Sequence, residues 1–414
     1  MADAADWRAS LTATERYDNI QKLAGLAAAA GLTKSAFELE SEAYNTASSR
    51  EEYDATCNVP APAAEPPIPS PTSSPSLAPD SNNQEPSSPG VTIGPYHNCH
   101  YIASGVTAAV YRAQTRALKV IVETHNIEPH NPHREAKILS LLRAAHAPNI
   151  IALLSTFHDR EQRLVLVFPY QPLTLASLLD QTNPNTSPLP LSLLRPIFTA
   201  LFRALHHLHT AGILHRDIKP SAILLPSPPP FPASSITLAD FGTAHHPTLS
   251  LPSEPLSQKI LDIGTGPYRA PETLFGNRAY GPGVDLWAAG TVLAECLLRK
   301  PLFDSRPAHE DGNQLGLVLS IFQTLGTPSE ETWPEAVGWR TPPFGMYRVF
   351  EGREGGWRGI LPQSGVDEGW RGLVEGLVRF ESGERVTAGQ ALEFPCLKGD
   401  GDGGGDGEGG EESS

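Results

Sequence analysis

The chain has little cysteine, only two methionines, few aromatic residues and no long apolar run. Its 4 cysteines, Cys57, Cys99, Cys296 and Cys396, show no CxxC spacing and no clustered histidine, which argues against a zinc site and a disulfide framework and fits a reducing compartment. No stretch approaches about 18 consecutive apolar residues, and Met1 is followed by acidic residues rather than by a basic segment and an apolar core. The chain is therefore expected to be soluble, neither secreted nor membrane-spanning. Positive charge is also short: 31 Lys and Arg against 46 Asp and Glu give a net charge of -15, with no local basic patch. Such a chain repels phosphate backbones and anionic lipid heads, so no direct nucleic acid contact and no membrane contact are expected.

Proline and glycine are plentiful, at 40 and 36 residues, but they gather in particular stretches and so mark linkers and tails. Residues 58–93, beginning NVPAPAAEPPIPSP, hold too few large apolar groups to bury themselves and are expected to form a disordered linker. Residues 398–414, KGDGDGGGDGEGGEESS, form an acidic Gly-rich tail of the same kind. In residues 1–57, Tyr17, Ile20, Leu23 and Leu26 recur at helical spacing, and SAFELESEAYNTASSREEYDA predicts a second helix. Across residues 94–397 short strand patterns come first and helical ones later. That order predicts an α+β architecture, a small β-rich lobe followed by a large helical lobe.

Within this region a series of short motifs appears in a fixed order. YIASGVTAAVYRAQTRALKVI reads as strand, small-residue turn, strand, and carries Lys119 on the second strand. NPHREAKILSLL predicts a helix that presents Glu135, with Ile138, Leu141 and Leu142 as its apolar face. RLVLVFPYQPLTLASLLD reads as a buried strand, a connector and a helix. Phe198, Leu201, Phe202, Leu205 and Leu208 then mark a core helix leading into ILHRDIKPSAIL, and ITLADFGTA, GTGPYRAPE and ESGERVTAGQAL follow.

Any one of these motifs is weak, but in this order over about 300 residues they resemble the protein kinase superfamily. The resemblance implies a bilobal kinase fold that uses ATP and Mg2+. Ile102, Ala103, Ser104 and Gly105 would cover the nucleotide phosphates, Gly105 being the one glycine left of the expected three, with Ala103 and Ala108 in the other places. Val110, Ala117 and Phe168 would line the adenine pocket, and the backbone of Pro169 and Gln171 would bond the base. Lys119 would grip the α- and β-phosphates with Glu135 as its buried partner. Asp217 would orient or deprotonate the substrate hydroxyl, Lys219 would neutralise the γ-phosphate, Thr265 would brace both, and Asp240 would hold the metal. A Lys two places after the Asp is typical of Ser/Thr kinases.

The later segments, YRAPE and the insert DGNQLGLVLSIFQTLGTPSEETWPE, resemble the cyclin-dependent and MAP kinase group; the glycine-poor phosphate loop, the lack of a PSTAIRE helix and FGMYRVFEG resemble, within it, the fungal monomeric kinases that activate cyclin-dependent kinases. That likeness implies a cyclin-dependent kinase as the protein substrate and a nuclear or cytoplasmic monomer. The Glu135 helix has nothing like PSTAIRE, so no cyclin is expected to be required. Glu272 is expected to pair with Arg385, Asp285 to brace the catalytic loop, and Arg269 to shape the substrate pocket. Counted back from Glu272, the position of an activating Thr is filled by Ile260, with Ser253 and Ser257 nearby. DWRASLTATERYDNIQKL and FELESEAYNTASSREEY resemble the KIX domain of a fungal Mediator tail subunit, which implies a transcription-factor or Mediator contact.

One position departs from the kinase pattern. The Asn that follows the catalytic Asp by five residues and holds a second metal is Ala222. Two readings follow: an active Ser/Thr kinase with a weakened metal site, or a pseudokinase kept as a scaffold.

Overall fold

In a computed structural model the chain forms two compact units, residues 1–84 and 85–414. The structure describes residues 90–398 except 106, 123–127, 182–188, 228, 252, 306–312, 340–342, 345–348 and 362–365, and in the first unit residues 49–57 with isolated positions 23, 43, 46 and 47.

In the first unit, helix α1 (Arg50–Cys57) buries Tyr53 and Cys57. The helix predicted through this stretch is not continuous, because Ala47 and Ser49 leave the helical conformation. The Ser49 hydroxyl accepts the Glu52 N–H at 3.2 Å and so starts a new helix, the usual work of an N-terminal capping serine. The rest of the KIX-like stretches, residues 58–89 and the tail beyond 398 lie outside the described residues. The end of the linker expected over 58–93 is instead ordered, since Val91–Ile93 pair with the following strand and bury Ile93.

The second unit opens with an antiparallel sheet of β1 (Val91–Ile93), β2 (Tyr96–Ser104), β3 (Ala108–Ala113), β4 (Arg116–Ile121), β5 (Ser155–His158) and β6 (Leu164–Pro169), in the order β1-β2-β3-β4-β6-β5. Leu118, Val120, Val165 and Val167 are buried on one side of it. Helix α2 (Pro132–Ala144) docks on the sheet's other side. Its start is fixed by Pro132 in the first turn and by Asn131, whose side chain accepts the Arg134 N–H at 2.9 Å. Its buried face is Glu135, Ile138, Leu139 and Leu142, whereas Leu141 is 50% exposed. The apolar face expected from the sequence is thus wrong at one position: residues three and four apart share a side, and counting from Glu135 gives 138, 139 and 142.

After β7 (Leu173–Thr174) and α3 (Leu175–Gln181) the chain turns helical. Helix α4 (Leu191–Thr210) buries Phe198, Leu201, Phe202, Leu205 and Leu208 and delivers the chain to a small sheet of β7, β8 (Ile223–Leu225) and β9 (Thr237–Leu238). A short helix, α5 (Pro271–Leu274), precedes α6 (Gly283–Leu298), which is buried almost all round. Close packing of α6 on α9 (Glu368–Leu377) depends on Gly290, where a Cβ would lie 2.7 Å from Leu377 and Val378 side-chain atoms. Between them runs α7 (Asn313–Leu325), followed by the fully buried Trp333, which contacts Phe275, Trp339 and Phe380; a short helix α8 (Trp357–Ile360) leads into α9. The result is an α+β, two-lobed unit, with the catalytic motifs on the loops at the edge of the small sheet.

Candidate active site

The nucleotide side is built by strand register. Directly paired residues of an antiparallel sheet point to one face, as do residues two apart. Ala103 pairs with Val110, Val110 with Lys119, and Ala117 with Phe168, so these five side chains share a face. The β2–β3 turn closes through the Gly105 N–H, which donates to the Ala108 carbonyl at 2.8 Å. Among the described residues, a Cβ at Gly105 would meet nothing within 4 Å, so this position of the turn is open. Ile102 is 44% exposed, and Ser104 takes a hydrogen bond from the Tyr101 hydroxyl at 2.9 Å. Phe168 is buried, while Pro169 and Gln171 continue half-buried from β6, the Gln171 amide reaching the Ser235 carbonyl at 3.5 Å.

Lys119 Nζ donates to both oxygens of Glu135, at 2.8 and 2.9 Å, and to Asp240 Oδ1 at 3.2 Å. Glu135 is 2% exposed. Burial alone would pull the Lys119 ammonium down, but the charges and hydrogen bonds of Glu135 and Asp240 prevail and hold its pKa above the ordinary lysine value. Lys119, then Lys219, hold the Asp240 carboxyl well below the usual carboxylate range, against the effect of burial. A fixed cation and an ionised carboxylate thus face the cleft.

On the other side the Thr265 hydroxyl donates to Asp217 Oδ1 at 2.6 Å, and Lys219 Nζ lies 2.5 Å from Asp217 Oδ2, 3.4 Å from Thr265 Oγ1 and 3.8 Å from Asp240 Oδ2. Contacts therefore run unbroken from Glu135 through Lys119, Asp240 and Lys219 to Asp217 and Thr265. The two loops that carry them are bent at Arg216 (φ 71) and Asp240 (φ 64), left-handed conformations that cost non-glycine residues on the order of 1 kcal/mol. Asp285 anchors the first bend by accepting the His215 and Arg216 amides at 2.9 and 2.7 Å and His209 Nε2 at 3.0 Å. Burial would raise its pKa, but His209 and these contacts keep the carboxyl below its ordinary value. Phe241 holds the second bend by packing edge-on against His215, with ring centroids 4.8 Å apart.

Ala222 ends the short turn Pro220–Ala222 and is 1% exposed, part of the main apolar core. Among the described residues no three His, Cys, Asp or Glu side chains are arranged to hold a metal by themselves. The donor set suits magnesium, which commonly binds one or two carboxylates and completes its shell with phosphate oxygens and water. Asp240, 45% exposed beside Lys119, fits that use.

Arg269, expected to shape the substrate pocket, binds the Gly264 carbonyl at 3.0 Å and Asp262 at 2.7 Å. Gly264 has φ +76, which most residues would adopt only under strain. Glu272 and Arg385 form a buried two-pronged pair at 2.6 and 2.8 Å.

Sequence reasoning missed one acidic residue. Ile260 fills the position counted for an activating Thr, yet the group facing Arg216 is Glu254, six residues earlier. Arg216 donates to Glu254 Oε1 at 2.6 Å and Oε2 at 3.0 Å, and both residues are buried. The Ile260 amide donates to the same Oε1 at 2.9 Å, and Arg134 of α2 lies 3.5 Å from Oε2. Burial would raise the Glu254 pKa; the Arg216 hydrogen bonds and charge outweigh it and lower it. Counting along a motif finds a backbone position, and only folding shows which side chain fills it.

Two comparisons bear on this site. Residues 96–397 match the family described as protein kinase domain. The chain is similar to Cyclin-dependent kinase 7 of Xenopus laevis, 33% identical over 305 residues, which is 72% of this chain and 79% of that protein.

Proposed function

The chain belongs to the protein kinase family, and on that premise we propose that it is an active Ser/Thr kinase whose substrate is the activation-loop Thr of a cyclin-dependent kinase. The observation that carries the reading is the unbroken contact chain from Glu135 to Thr265 through Lys119, Asp240, Lys219 and Asp217. The contact chain keeps the charged groups that phosphoryl transfer by positioning and charge uses, and lacks the amide lost at Ala222.

The family uses ATP with Mg2+, which supply the γ-phosphoryl group and a charge-neutralising metal. Lys119, held rigid by Glu135, would bind the α- and β-phosphate oxygens, and Asp240 the metal. Asp217 orients the substrate hydroxyl and accepts its proton, while Thr265 fixes its carboxylate and Lys219 offers positive charge where negative charge builds up. Lys219 two residues after Asp217 supports serine and threonine as acceptors. The glycine-poor phosphate loop, the lack of a PSTAIRE helix and FGMYRVFEG, in their likeness to the fungal monomeric activating kinases, support the substrate, and the sequence of α2 supports independence from a cyclin. The KIX-like stretch supports a transcription-factor or Mediator contact and, with it, a nuclear as well as a cytoplasmic place of action.

The buried methyl of Ala222 favours a second reading, a nucleotide-binding scaffold that does not transfer phosphate. The test is a substrate panel: an inactive cyclin-dependent kinase, the same protein with its activation-loop Thr changed to Ala, a polymerase C-terminal repeat peptide and a generic basic protein. The proposal expects phosphate on the first alone. Transfer to the Ala variant would remove the assigned substrate; no transfer to any, with a thermal shift on adding nucleotide, would leave the scaffold.

A further inference from the structure

Protein kinases commonly order the activation segment by phosphorylation, the new phosphate pairing with arginines. Here the corresponding arginine is already committed. The Arg216 guanidinium makes four hydrogen bonds, two to Glu254, one to the Thr243 carbonyl at 2.6 Å and one to the Tyr280 hydroxyl at 3.0 Å. Both Arg216 and Glu254 side chains are fully buried, which leaves no open guanidinium edge for a phosphate. Ser253 and Ser257 are exposed, and the Ser253 hydroxyl rests on the Ser250 carbonyl at 3.4 Å.

We propose that Glu254 is the positioning residue of the activation segment, its carboxylate doing permanently what an added phosphate does elsewhere, so that the chain works without phosphorylation in that segment. Both oxygens are in use: Oε1 takes Arg216 and the Ile260 amide, Oε2 takes Arg216 and faces Arg134. One carboxylate thereby joins three elements. Arg216 immediately precedes Asp217, Arg134 immediately precedes Glu135, and Ile260 begins the run to Thr265, which donates to Asp217. Glu254 therefore contacts the residue before Asp217 and the residue before Glu135. A group acting in this way shapes the acceptor side and the Lys119–Glu135 pair without touching substrate.

The inference rests on the kinase reading, so its test has an arm that needs no activity. Hydrogen exchange is measured on the full chain and on Glu254→Gln, which keeps shape and removes charge. Residues 253–265 are expected to exchange faster in the variant while α4 and α6 do not change. In the kinetic arm Glu254→Gln is expected to lower kcat about 100-fold with the KM for ATP nearly unchanged, and Glu254→Asp to recover part of the loss. Ser253→Ala with Ser257→Ala, and phosphatase treatment of the wild type checked by intact mass, are expected to leave the rate within about twofold. The proposal is overturned by unchanged exchange in Glu254→Gln, or by wild-type activity that depends on a phosphate mapped to residues 243–270. An inactive wild type would count against the kinase reading alone, since the exchange arm still decides the role of Glu254. Should Glu254→Gln fail to fold, the exchange comparison is made with Glu254→Asp and the phosphatase arm stands as before.

Discussion

Two buried arginine–glutamate pairs with nearly the same geometry do different work. Glu272 and Arg385, at 2.6 and 2.8 Å, tie the start of α5 to the chain after α9, and Arg385 also binds the Gly283 and Arg379 carbonyls and lies 5.0 Å over the Trp287 ring. Glu254 and Arg216, at 2.6 and 3.0 Å, hold a segment with no regular secondary structure against the catalytic loop. Where both partners stand among packed helices, the pair fastens the fold. Where one partner sits on an irregular segment, it sets the shape of a site whose surroundings would otherwise have many conformations.

Breaking the first pair should have the largest effect on stability. Glu272→Ala leaves Arg385 charged and buried, and is expected to cost about 3–5 kcal/mol and to lower Tm by roughly 5–15 °C in a thermal melt. Activity should fall only as the folded fraction falls. Glu254→Gln, which keeps an oxygen to accept from Arg216, should lose rate beyond what its loss of Tm explains, whereas in Glu272→Gln activity should follow the folded fraction alone; a rate loss that tracks Tm in both variants would erase the distinction.

The metal side gives a smaller effect. Ala222→Asn restores an amide where Mg2+ is expected, and should lower the Mg2+ concentration for half-maximal rate by about tenfold, the scale on which single groups around a metal act. A magnesium titration of both proteins checks it; identical curves would place the metal's demands entirely on Asp240.

The smallest effect is a dependence on pH confined to the Glu254 side. Its folded pKa lies below the ordinary glutamate value, so the stability it adds is fully present above about pH 4.3. That stability is lost as pH falls through the lowered folded value. Arg216 and Arg134 face it at 2.6 and 3.5 Å, Lys259 and His245 lie beside it, and burial disfavours the charged form of both Lys259 and His245. Limited pepsin digestion from pH 5 to pH 3 should therefore cut residues 250–265 before it cuts α6.

The same contrast explains what the sequence disclosed. Glu272 and Arg385 sit in recurrent phrases, YRAPE and ESGERVTAGQAL, so their pairing is legible from the order of residues alone. Lys119, Glu135, Asp217, Lys219, Asp240 and Thr265 are likewise marked by motif, and folding brings them into one set of contacts. Glu254 lies in LSLPSEPLSQKI, which has neither periodicity nor motif, and its partner Arg216 is 38 residues away. Such a contact follows from the path of the folded chain alone. The buried face of α2 is misread for a smaller reason: Leu139 and Leu141 are both apolar, and only the helical angle from Glu135 decides between them.

The central claim is that the contacts around Asp217 transfer phosphate. The most direct measurement is single-turnover transfer from γ-labelled ATP to an inactive cyclin-dependent kinase at millimolar Mg2+, run for the wild type and for Asp217→Asn under conditions where both bind nucleotide. Labelled activation-loop Thr from the wild type, and a loss of about 1000-fold or more in Asp217→Asn, is the predicted result. Equal label from the two proteins, or none from the wild type with either Mg2+ or Mn2+, would contradict it.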